Sequence, residues 1–418
     1  MVSALPPGGA RAVARCDALG LAPYSDMEVG LYRGYLTPAY DAAQDALAAW
    51  MADAGMAVKQ DAAANLVGRY DGTLPGAPVL MIGSHLDSVR DGGRYDGPLG
   101  IMLGVELVDT LHRAGERLPF PIEVIAFGDE EGSRFPAAMF TSRAVAGTLD
   151  PARLDVADAQ GVTLAEAYSP RHGDIARYSE AARQRGSVLA YLEAHIEQGP
   201  ALEADGLALA TVTGIAAQLR LSVTVMGMAG HAGTTSMLLR RDALAGAAEM
   251  MLAIETIARD DASDLVATVG KIMAAPGAAN VIPGHVTFTI DIRSGDGARR
   301  DRAAEVIIDR IADIADARAL GFSIERIHDL PASPCDPRLM EMMDAAIAAE
   351  GLPPCRLVSG AGHDAMVMAA LCPTAMLFIR CRGGISHNPA EHVEPEDADA
   401  ALRVMVQFVR MLADDIVP

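Results

Sequence analysis

Short apolar runs that end in polar clusters recur in the first third of the chain. Pro78–Ile82 is an apolar run that ends at Gly83-Ser84, and it predicts a buried strand. Leu99–Leu111 has helical spacing, and the β-branched run Ile122–Phe127 predicts a second strand, which ends in Gly128-Asp129-Glu130-Glu131-Gly132. Ligands in open α/β sheets bind outside the carboxyl ends of strands, so these two strand ends are the first candidates for a site.

The middle of the chain has a different pattern, in which apolar and polar residues alternate. From Leu219 to Val225 every second residue is apolar, which predicts a strand with one solvated face. The predicted elements here follow the order β-α-β-β-α-β, which is that of the ferredoxin-like, split βαβ unit. Their ranges are Leu219–Val225, Asp242–Arg259, Leu265–Ile272, Val286–Ile292, Ala298–Leu320 and Phe322–His328.

These patterns predict an α/β fold in two domains. We expect residues 213–329 to form a ferredoxin-like α+β module that is inserted into a larger domain of residues 1–212 and 330–418. The larger domain resumes with a helix near Arg338–Glu350 and a strand at Ala375–Ile379. Residues 150–190 are polar and Ala-rich, and the pattern predicts no element there.

The composition of the 418-residue chain narrows the classes of partner. Lys and Arg number 34 against 55 Asp and Glu, a net charge of −21 without a basic cluster, so no nucleic-acid partner is expected. No uncharged apolar run reaches the roughly 18 residues of a membrane-spanning helix. Met1–Gly20 has no continuous apolar core and is not interpreted as a signal peptide. The five cysteines form no CxxC pair, which indicates reduced thiols and a cytoplasmic protein.

Five short clusters carry the candidate chemistry. His85 and Asp87 project to the same side of an extended chain, so Asp87 could fix the ring of His85 through its second nitrogen. Each cluster alone also has an ordinary structural interpretation, such as a surface histidine, a helix cap or a solvated acidic loop. Adjacent acids at the end of a buried strand, however, repel each other unless a cation or a shared proton offsets the repulsion. The other four clusters lie at Asp96, Glu130-Glu131, His195 and His387.

Taken together, the clusters indicate a metal site. Mixed histidine and carboxylate ligands without cysteine suit Zn²⁺ or Mn²⁺, and Co²⁺ or Ni²⁺ are also compatible. One shared carboxylate with at least one histidine on each side would complete a site for two metal ions. The candidate ligands are His85, Asp96, Glu131, His195 and His387.

Seven strings, in chain order, resemble the M20 family of dinuclear metallohydrolases, and the resemblance runs nearly end to end. Within that family they look like the amidase/carbamoylase branch, which includes N-carbamoyl-L-amino-acid hydrolases, β-ureidopropionases and allantoate amidohydrolases. The resemblance implies an aminopeptidase-like catalytic domain with two divalent ions per subunit. It also implies that the inserted module is a lid and dimerisation domain, and that the protein is therefore a homodimer. The strings are GSHLDSV, GGRYDGPLG, DEEGSRF, EAHIEQGP, GHAGTT, SGAGHDA and ISHNPAE.

The resemblance also implies roles for individual residues. His85 and His195 would hold one ion, Glu131 and His387 the other, and Asp96 would bridge the two. Glu130 would be the general base, and His231 would stabilise the oxyanion in a site that a partner subunit could share. The resemblance assigns no role to His363. The residues implied in substrate binding are Gln198, His231, Asn280, Arg293, Ser359, Gly360 and Gly362.

Arg293 illustrates how these roles compete with structural ones. The alternation over Val286–Ile292 places Arg293 on the polar face at the end of its strand, where its planar fork suits a substrate carboxylate. The alternative is an ion pair with Asp291 or Asp296.

Three functions follow from this reasoning. The first is an amidohydrolase that cleaves the C–N bond of a carbamoyl or ureido group and releases ammonia and CO₂. Its substrate would be allantoate, ureidoglycolate, an N-carbamoyl-L-amino acid or β-ureidopropionate. The second is an M20 peptidase or N-acyl amino acid deacylase. The third is a non-catalytic binding module, which would be expected to have lost ligands, whereas all five and Glu130 are present.

Overall fold

The computed structural model describes residues 8–416, so the first seven residues of the segment Met1–Gly20 lie outside the described part. None of the helices within these bounds is both long and apolar enough to cross a lipid bilayer. The helices are α1 Gly9–Leu19, α2 Pro38–Asp53, α3 Pro98–Arg113, α4 Phe140–Ala146, α5 Leu164–His172, α6 Ala201–Ala204, α7 Ala243–Asp260, α8 Gly297–Ala317, α9 Pro337–Ala349, α10 Asp364–Met368 and α11 Pro395–Ile416. The strands are β1 Ala57–Gln60, β2 Leu66–Tyr70, β3 Val79–His85, β4 Ile122–Phe127, β5 Val188–Ile196, β6 Leu209–Ile215, β7 Ala217–Met226, β8 Gly230–His231, β9 Val266–Ala275, β10 Val281–Ile282, β11 His285–Ser294, β12 Gly321–Leu330, β13 Ser333–Pro334, β14 Arg356–Ser359 and β15 Thr374–Ile379.

The chain divides into two compact units. One comprises the chain up to Thr213 together with Cys335–Leu357 and the chain from His363 onward, and the other comprises Gly214–Pro334 and Val358–Gly362. The predicted boundaries put the short segment Val358–Gly362 in the catalytic domain, whereas in the structure it belongs to the second unit. It joins the second unit because Ser359 O accepts a hydrogen bond from Ala216 N.

A mixed sheet forms the centre of the first unit. Its strands follow the order β1-β2-β4-β3-β5-β15-β6, and the pairs β3–β4, β3–β5 and β5–β15 are parallel. Every residue of β3, β4 and β15 is buried, as expected for strands covered on both faces. The parallel strands end at one edge of the sheet, and there the chain leaves β3 at His85 and β4 just before Gly128.

The second unit contains a four-stranded antiparallel sheet in the order β12-β7-β11-β9. With α7 and α8 between the strands, this is the ferredoxin-like unit that the alternating pattern predicts. Helices α7 and α8 contribute to the same apolar core as one face of the sheet, in which Val223, Phe288 and Ile307 are fully buried. The opposite face of β11 carries polar residues, so one face of this sheet has no helix from its own unit.

Most predicted elements are confirmed, and their ends differ by a few residues. The predicted helix Ala298–Leu320 ends at Ala317, because Ala319 adopts a left-handed conformation and Leu320 N turns back to Ala315 O. The first strand continues three residues beyond its predicted end at Ile82 and includes His85. In residues 150–190, for which no element was predicted, the chain forms α5 and two short 3₁₀ turns before entering β5.

Candidate metal centre

The five histidine and carboxylate clusters meet at the carboxyl edge of the first unit's sheet. His85 is the last residue of β3, and His195 lies near the end of the neighbouring strand β5. Asp96 precedes α3, while His387 follows β15, which is the other neighbour of β5. Residues far apart in sequence therefore converge, because parallel strands end at the same edge.

Asp96 lies at the centre of the cluster and presents its two oxygens to different partners. Asp96 Oδ1 is 3.5 Å from His85 Nε2 and 3.2 Å from His195 Nε2. Asp96 Oδ2 is 3.2 Å from His387 Nε2, which in turn is 3.3 Å from Glu131 Oε1. Two sets of ligand atoms, each within 4.8 Å of one another, thus share this carboxylate: His85, Asp96 and His195, and Asp96, Glu131 and His387.

The two buried histidines are oriented as metal ligands usually are. His85 Nδ1 lies 3.1 Å from the carbonyl oxygen of Asp87, and His195 Nδ1 lies 2.9 Å from that of Ile196. A main-chain acceptor at Nδ1 places the proton there and leaves the lone pair of Nε2 for a metal ion. His195 Nε2 is buried and lies 3.2 Å from Asp96 Oδ1, so both atoms are positioned to share one ion. The donor set therefore fits a pair of divalent ions that Asp96 would bridge.

The electrostatics of the cluster match this arrangement. Burial disfavours the charged form of Asp96, but hydrogen bonds with His195, His387 and His85 outweigh it and hold the pKa of the carboxyl well below its usual range. Asp96 and Glu131 raise the pKa of His387 to about 10. The site thus keeps a carboxylate charged at a buried position and attracts positive charge around it.

Glu130 is set apart from its neighbour Glu131 by its surroundings. Its side chain is 8% exposed and belongs to a third group of converging ligand atoms, with His85 and Glu131. Burial raises the pKa of Glu130 well above its usual value. A buried carboxyl beside the candidate ligands has the position and the proton affinity of a general base.

Asp87 is placed differently from its prediction. Its carboxylate was expected to hold the ring of His85, but Asp87 Oδ1 is 3.9 Å from His85 Nδ1, which bonds to the main-chain carbonyl of Asp87 instead. The carboxylate accepts hydrogen bonds from the backbone N–H groups of Glu130, at 3.2 Å, and Glu131, at 3.3 Å. The strand turns away after His85, so Asp87 reaches across to the end of β4 and holds the turn that carries both glutamates.

Two further side chains hold Asp96, and sequence reasoning assigned neither of them. Glu391 is buried, and its Oε1 accepts hydrogen bonds from the backbone N–H groups of Tyr95, at 2.7 Å, and Asp96, at 3.1 Å. Ser386 donates from Oγ to Asp96 Oδ2 at 2.7 Å. Both lie within the string ISHNPAE, so their position near His387 is the signal that could have identified them.

Gln198, which was expected to bind substrate, contacts the same carboxylate. Its Nε2 donates to Asp96 Oδ2 at 2.8 Å and to Ser386 Oγ at 2.9 Å. Its Oε1 is buried and has no hydrogen-bond partner among residues 8–416, which leaves an acceptor for another group.

His363 and Glu193 extend the cluster behind His195. The rings of His195 and His363 are edge to face with centroids 4.4 Å apart, and Glu193, His195 and His363 form a further set of converging ligand atoms. Glu193 accepts hydrogen bonds from Ser84 Oγ and from Ala365 N. Glu193 and His195 are two residues apart on one strand, and this spacing is the signal that places them on one face.

The remaining candidates belong to the second unit. His231 on β8 pairs with Val281 on β10, and the carbonyl of Asn280 accepts a hydrogen bond from Ala232 N, so His231 and Asn280 are brought close together. Arg293 is the penultimate residue of β11, and it forms an ion pair with Asp291, at 2.9 Å, and a hydrogen bond with Gly360 O. Ser359, Gly360 and Gly362 lie in the segment Val358–Gly362 of the same unit.

Comparison with known proteins gives consistent results. Residues 81–411 match the profile of the peptidase family M20/M25/M40. The chain is 44% identical to the N-carbamoyl-L-amino acid amidohydrolase of Geobacillus stearothermophilus, over 89% of this chain and 90% of the relative. It is 41% identical to the allantoate deiminase of Arabidopsis thaliana, over 95% and 81%. The crystal structure of a hydantoinase/carbamoylase family amidase from Burkholderia multivorans has a TM-score of 0.90 at 34% identity, over 98% and 99% of the chains. The chain belongs to the peptidase family M20/M25/M40.

Proposed function

We propose that this protein is a metal-dependent amidohydrolase that cleaves the C–N bond of a carbamoyl or ureido group in a linear ureido acid. The products are ammonia, CO₂ and an amine or amino acid. The observation that carries the proposal is Asp96, which turns one oxygen to each of two histidine sets while Glu130 lies beside them. The relatives named for N-carbamoyl-L-amino acids and for allantoate support this substrate class.

The centre would hold two divalent ions, Zn²⁺ or Mn²⁺, with Co²⁺ or Ni²⁺ as alternatives. His85, His195 and Asp96 would hold one, and Asp96, Glu131 and His387 the other. Bound ions would polarise the carbonyl of the carbamoyl group, which is otherwise a poor electrophile because two nitrogens donate electrons to it, and would make the attacking water more acidic.

The protein groups divide the remaining chemistry. Glu130 takes the proton of the attacking water and delivers it to the leaving nitrogen. Asp87 fixes the position of Glu130 through the backbone N–H group of that residue. His231 and the amide of Asn280 donate to the oxyanion, and the loss of one such donor typically lowers the rate about 10²–10³-fold.

Arg293 can bind the substrate carboxylate and remain paired with Asp291. Its Nε and Nη2 donate to the two oxygens of Asp291, at 2.9 and 3.1 Å, and its Nη1 donates to Gly360 O. A guanidinium has five N–H donors, so two remain for an incoming carboxylate. The ion pair with Asp291, which the sequence left as an alternative role, therefore orients the guanidinium and leaves donors for a substrate.

The experiment that tests this function is ammonia release by the metal-reconstituted protein. The panel contains allantoate, ureidoglycolate, N-carbamoyl-L-amino acids and β-ureidopropionate, with an N-acetyl amino acid and a dipeptide as comparators. We expect turnover of at least one ureido acid and far less of the comparators. Amino acid release from the comparators without ammonia from any ureido acid would contradict the proposal.

We further propose that the protein is a cytoplasmic homodimer that binds neither nucleic acid nor membrane. All five cysteines are free thiols, which suits a reducing compartment. The second unit exposes Ile272 and Met273 on its edge strand β9 and Leu252 on α7, apolar side chains that a second subunit would cover. The net charge of −21 opposes binding to phosphate backbones.

A further inference from the structure

The uncovered face of the second unit's sheet contains a cavity of about 650 Å³ with an excess of positive charge. This volume suits a small-molecule ligand. Its lining takes residues from β7, β9, β11 and β12 and from the segment Val358–Gly362. The charged groups in the lining are three bases and one acid: Arg220, Lys271, Arg293 and Asp291.

Asp291 forms ion pairs with both arginines, so Lys271 is the base without an acidic partner in the lining. Its Oδ2 lies 2.7 Å from Arg220 Nε, and its Oδ1 lies 2.9 Å from Arg293 Nε. Within residues 8–416, the side-chain ammonium of Lys271 has no hydrogen bond or ion pair. The lining therefore has two positive charges in excess, of which a substrate carboxylate on Arg293 would neutralise one.

A β-bulge directs Lys271 into the cavity. Phe288 pairs with Ile272 and Ile290 pairs with Val269, so Gly270 and Lys271 together lie opposite one residue of β11. In a regular strand only one of these two would point to the uncovered face, whereas both line the cavity. Bulges are common next to functional sites, because they redirect a side chain.

Lysine is rare in this chain, so its presence at position 271 is unusual. Of its 34 basic residues only Lys59 and Lys271 are lysines. Lysine carries a compact, strongly hydrated charge on a flexible stem, and arginine a planar fork, so the two are not interchangeable at a binding site.

We propose that Lys271 binds a second acidic group of the substrate, so that the preferred substrates are ureido acids with two carboxylates. This inference rests on the proposed function. Arg293 would hold the carboxylate next to the ureido group, and Lys271 would hold the side-chain carboxylate. Both excess charges of the cavity would then be matched by one ligand.

Matched pairs of substrates that differ only in charge test the inference. N-carbamoyl-L-aspartate is compared with N-carbamoyl-L-asparagine, and N-carbamoyl-L-glutamate with N-carbamoyl-L-glutamine. We expect kcat/KM to be about 10- to 100-fold higher for the acid in at least one pair, as for a hydrogen bond between charged groups. Lys271→Met should remove this preference by lowering kcat/KM for the acids toward the value for the amides. Lys271→Arg should keep part of it, and the other lysine variant, Lys59→Met, should behave as the unaltered protein.

A binding measurement keeps the site testable independently of turnover. Calorimetric titration with succinate and glutarate, against their monoamides, should show tighter binding of a diacid to the unaltered protein and no difference in Lys271→Met. Equal kcat/KM within both pairs, or a preference that survives in Lys271→Met, would overturn the assignment of Lys271. No ammonia from these four compounds or from any ureido acid of the first panel would refute the proposed function. The titration would then decide the anion site alone: a diacid preference that depends on Lys271 supports it, and equal binding refutes it.

Discussion

Glu130 and Glu131 are adjacent in sequence, and their neighbours decide which one should bind metal. Glu131 Oε1 lies 3.3 Å from His387 Nε2 in a set that includes Asp96, whereas Glu130 occurs only in the set with His85 and Glu131. We expect Glu130→Gln to keep both metal ions and to lower kcat about 10²–10⁴-fold, which is the usual contribution of general acid–base catalysis. Glu131→Gln should lose metal. Metal analysis and steady-state kinetics on both variants test this, and full metal content in an inactive Glu131→Gln would reverse the two roles.

Asp87 gives a second prediction for a single residue. Its carboxylate accepts the backbone N–H groups of Glu130 and Glu131, and an amide in its place would offer one acceptor where two are needed. Asp87→Asn should therefore displace both glutamates, lowering kcat and weakening the ion that Glu131 would hold. The ion at His85 and His195 should be retained. Stoichiometry by metal analysis should fall from two ions toward one, and loss of the His85 ion alone would restore the role first predicted for Asp87.

The loop between β3 and α3 is held by a residue from the other end of the chain. Glu391 supplies the acceptor for two buried backbone N–H groups, those of Tyr95 and Asp96, and its carboxyl occupies the space that a side chain on Gly93 would fill. Glu391→Ala would leave both groups without a partner and should reduce the free energy of unfolding by about 2–4 kcal/mol. Its metal affinity should also fall, because Asp96 moves with the loop. Chemical denaturation and metal titration measure both effects.

Glu391→Gln is the matched control, since it keeps a carbonyl oxygen at the same position. It should cost less than about 1 kcal/mol and retain most of the metal affinity. If Glu391→Ala had the same stability and metal affinity as Glu391→Gln, the loop between β3 and α3 would not depend on Glu391.

The fold was largely predictable because its elements follow simple periodicities. Alternation in β11 identified the buried face, and the apolar run Ile122–Phe127 coincides with β4. The direction of the Asp87 carboxylate was not predictable, because it depends on how the chain turns after His85. The same holds for Glu391 and for the bulge at Lys271: each depends on a contact between segments that no local pattern encodes.

Removal of metal tests the centre as a whole. The proposed ligand set has two carboxylates and three histidines and no thiolate, so a chelator should extract the ions and abolish activity. Mn²⁺, Co²⁺, Ni²⁺ or Zn²⁺ should restore it, each to a different level. Ammonia release before and after dialysis measures this, and full turnover in chelator with empty sites by metal analysis would contradict it.

The proposed dimer gives a prediction for the assembly. The edge strand β9 exposes Ile272 and Met273, which are 46% and 55% exposed, and an unprotected apolar edge invites a partner. Light scattering at micromolar concentration should give a dimer mass, and Met273→Lys should shift it toward the monomer. A fully active protein that is monomeric at that concentration would contradict the proposal.

The second unit is discontinuous in sequence, and this limits how it can be taken apart. Val358–Gly362 belongs to it although 23 residues of the first unit, Cys335–Leu357, separate the two pieces. A fragment of residues 214–334 would contain all four strands of the sheet but would lack Gly360, which fixes Nη1 of Arg293. Residues 214–334 are therefore not a self-contained module. Whether grafted onto a relative or expressed alone, this fragment would carry the sheet and its helices without the segment that orients Arg293.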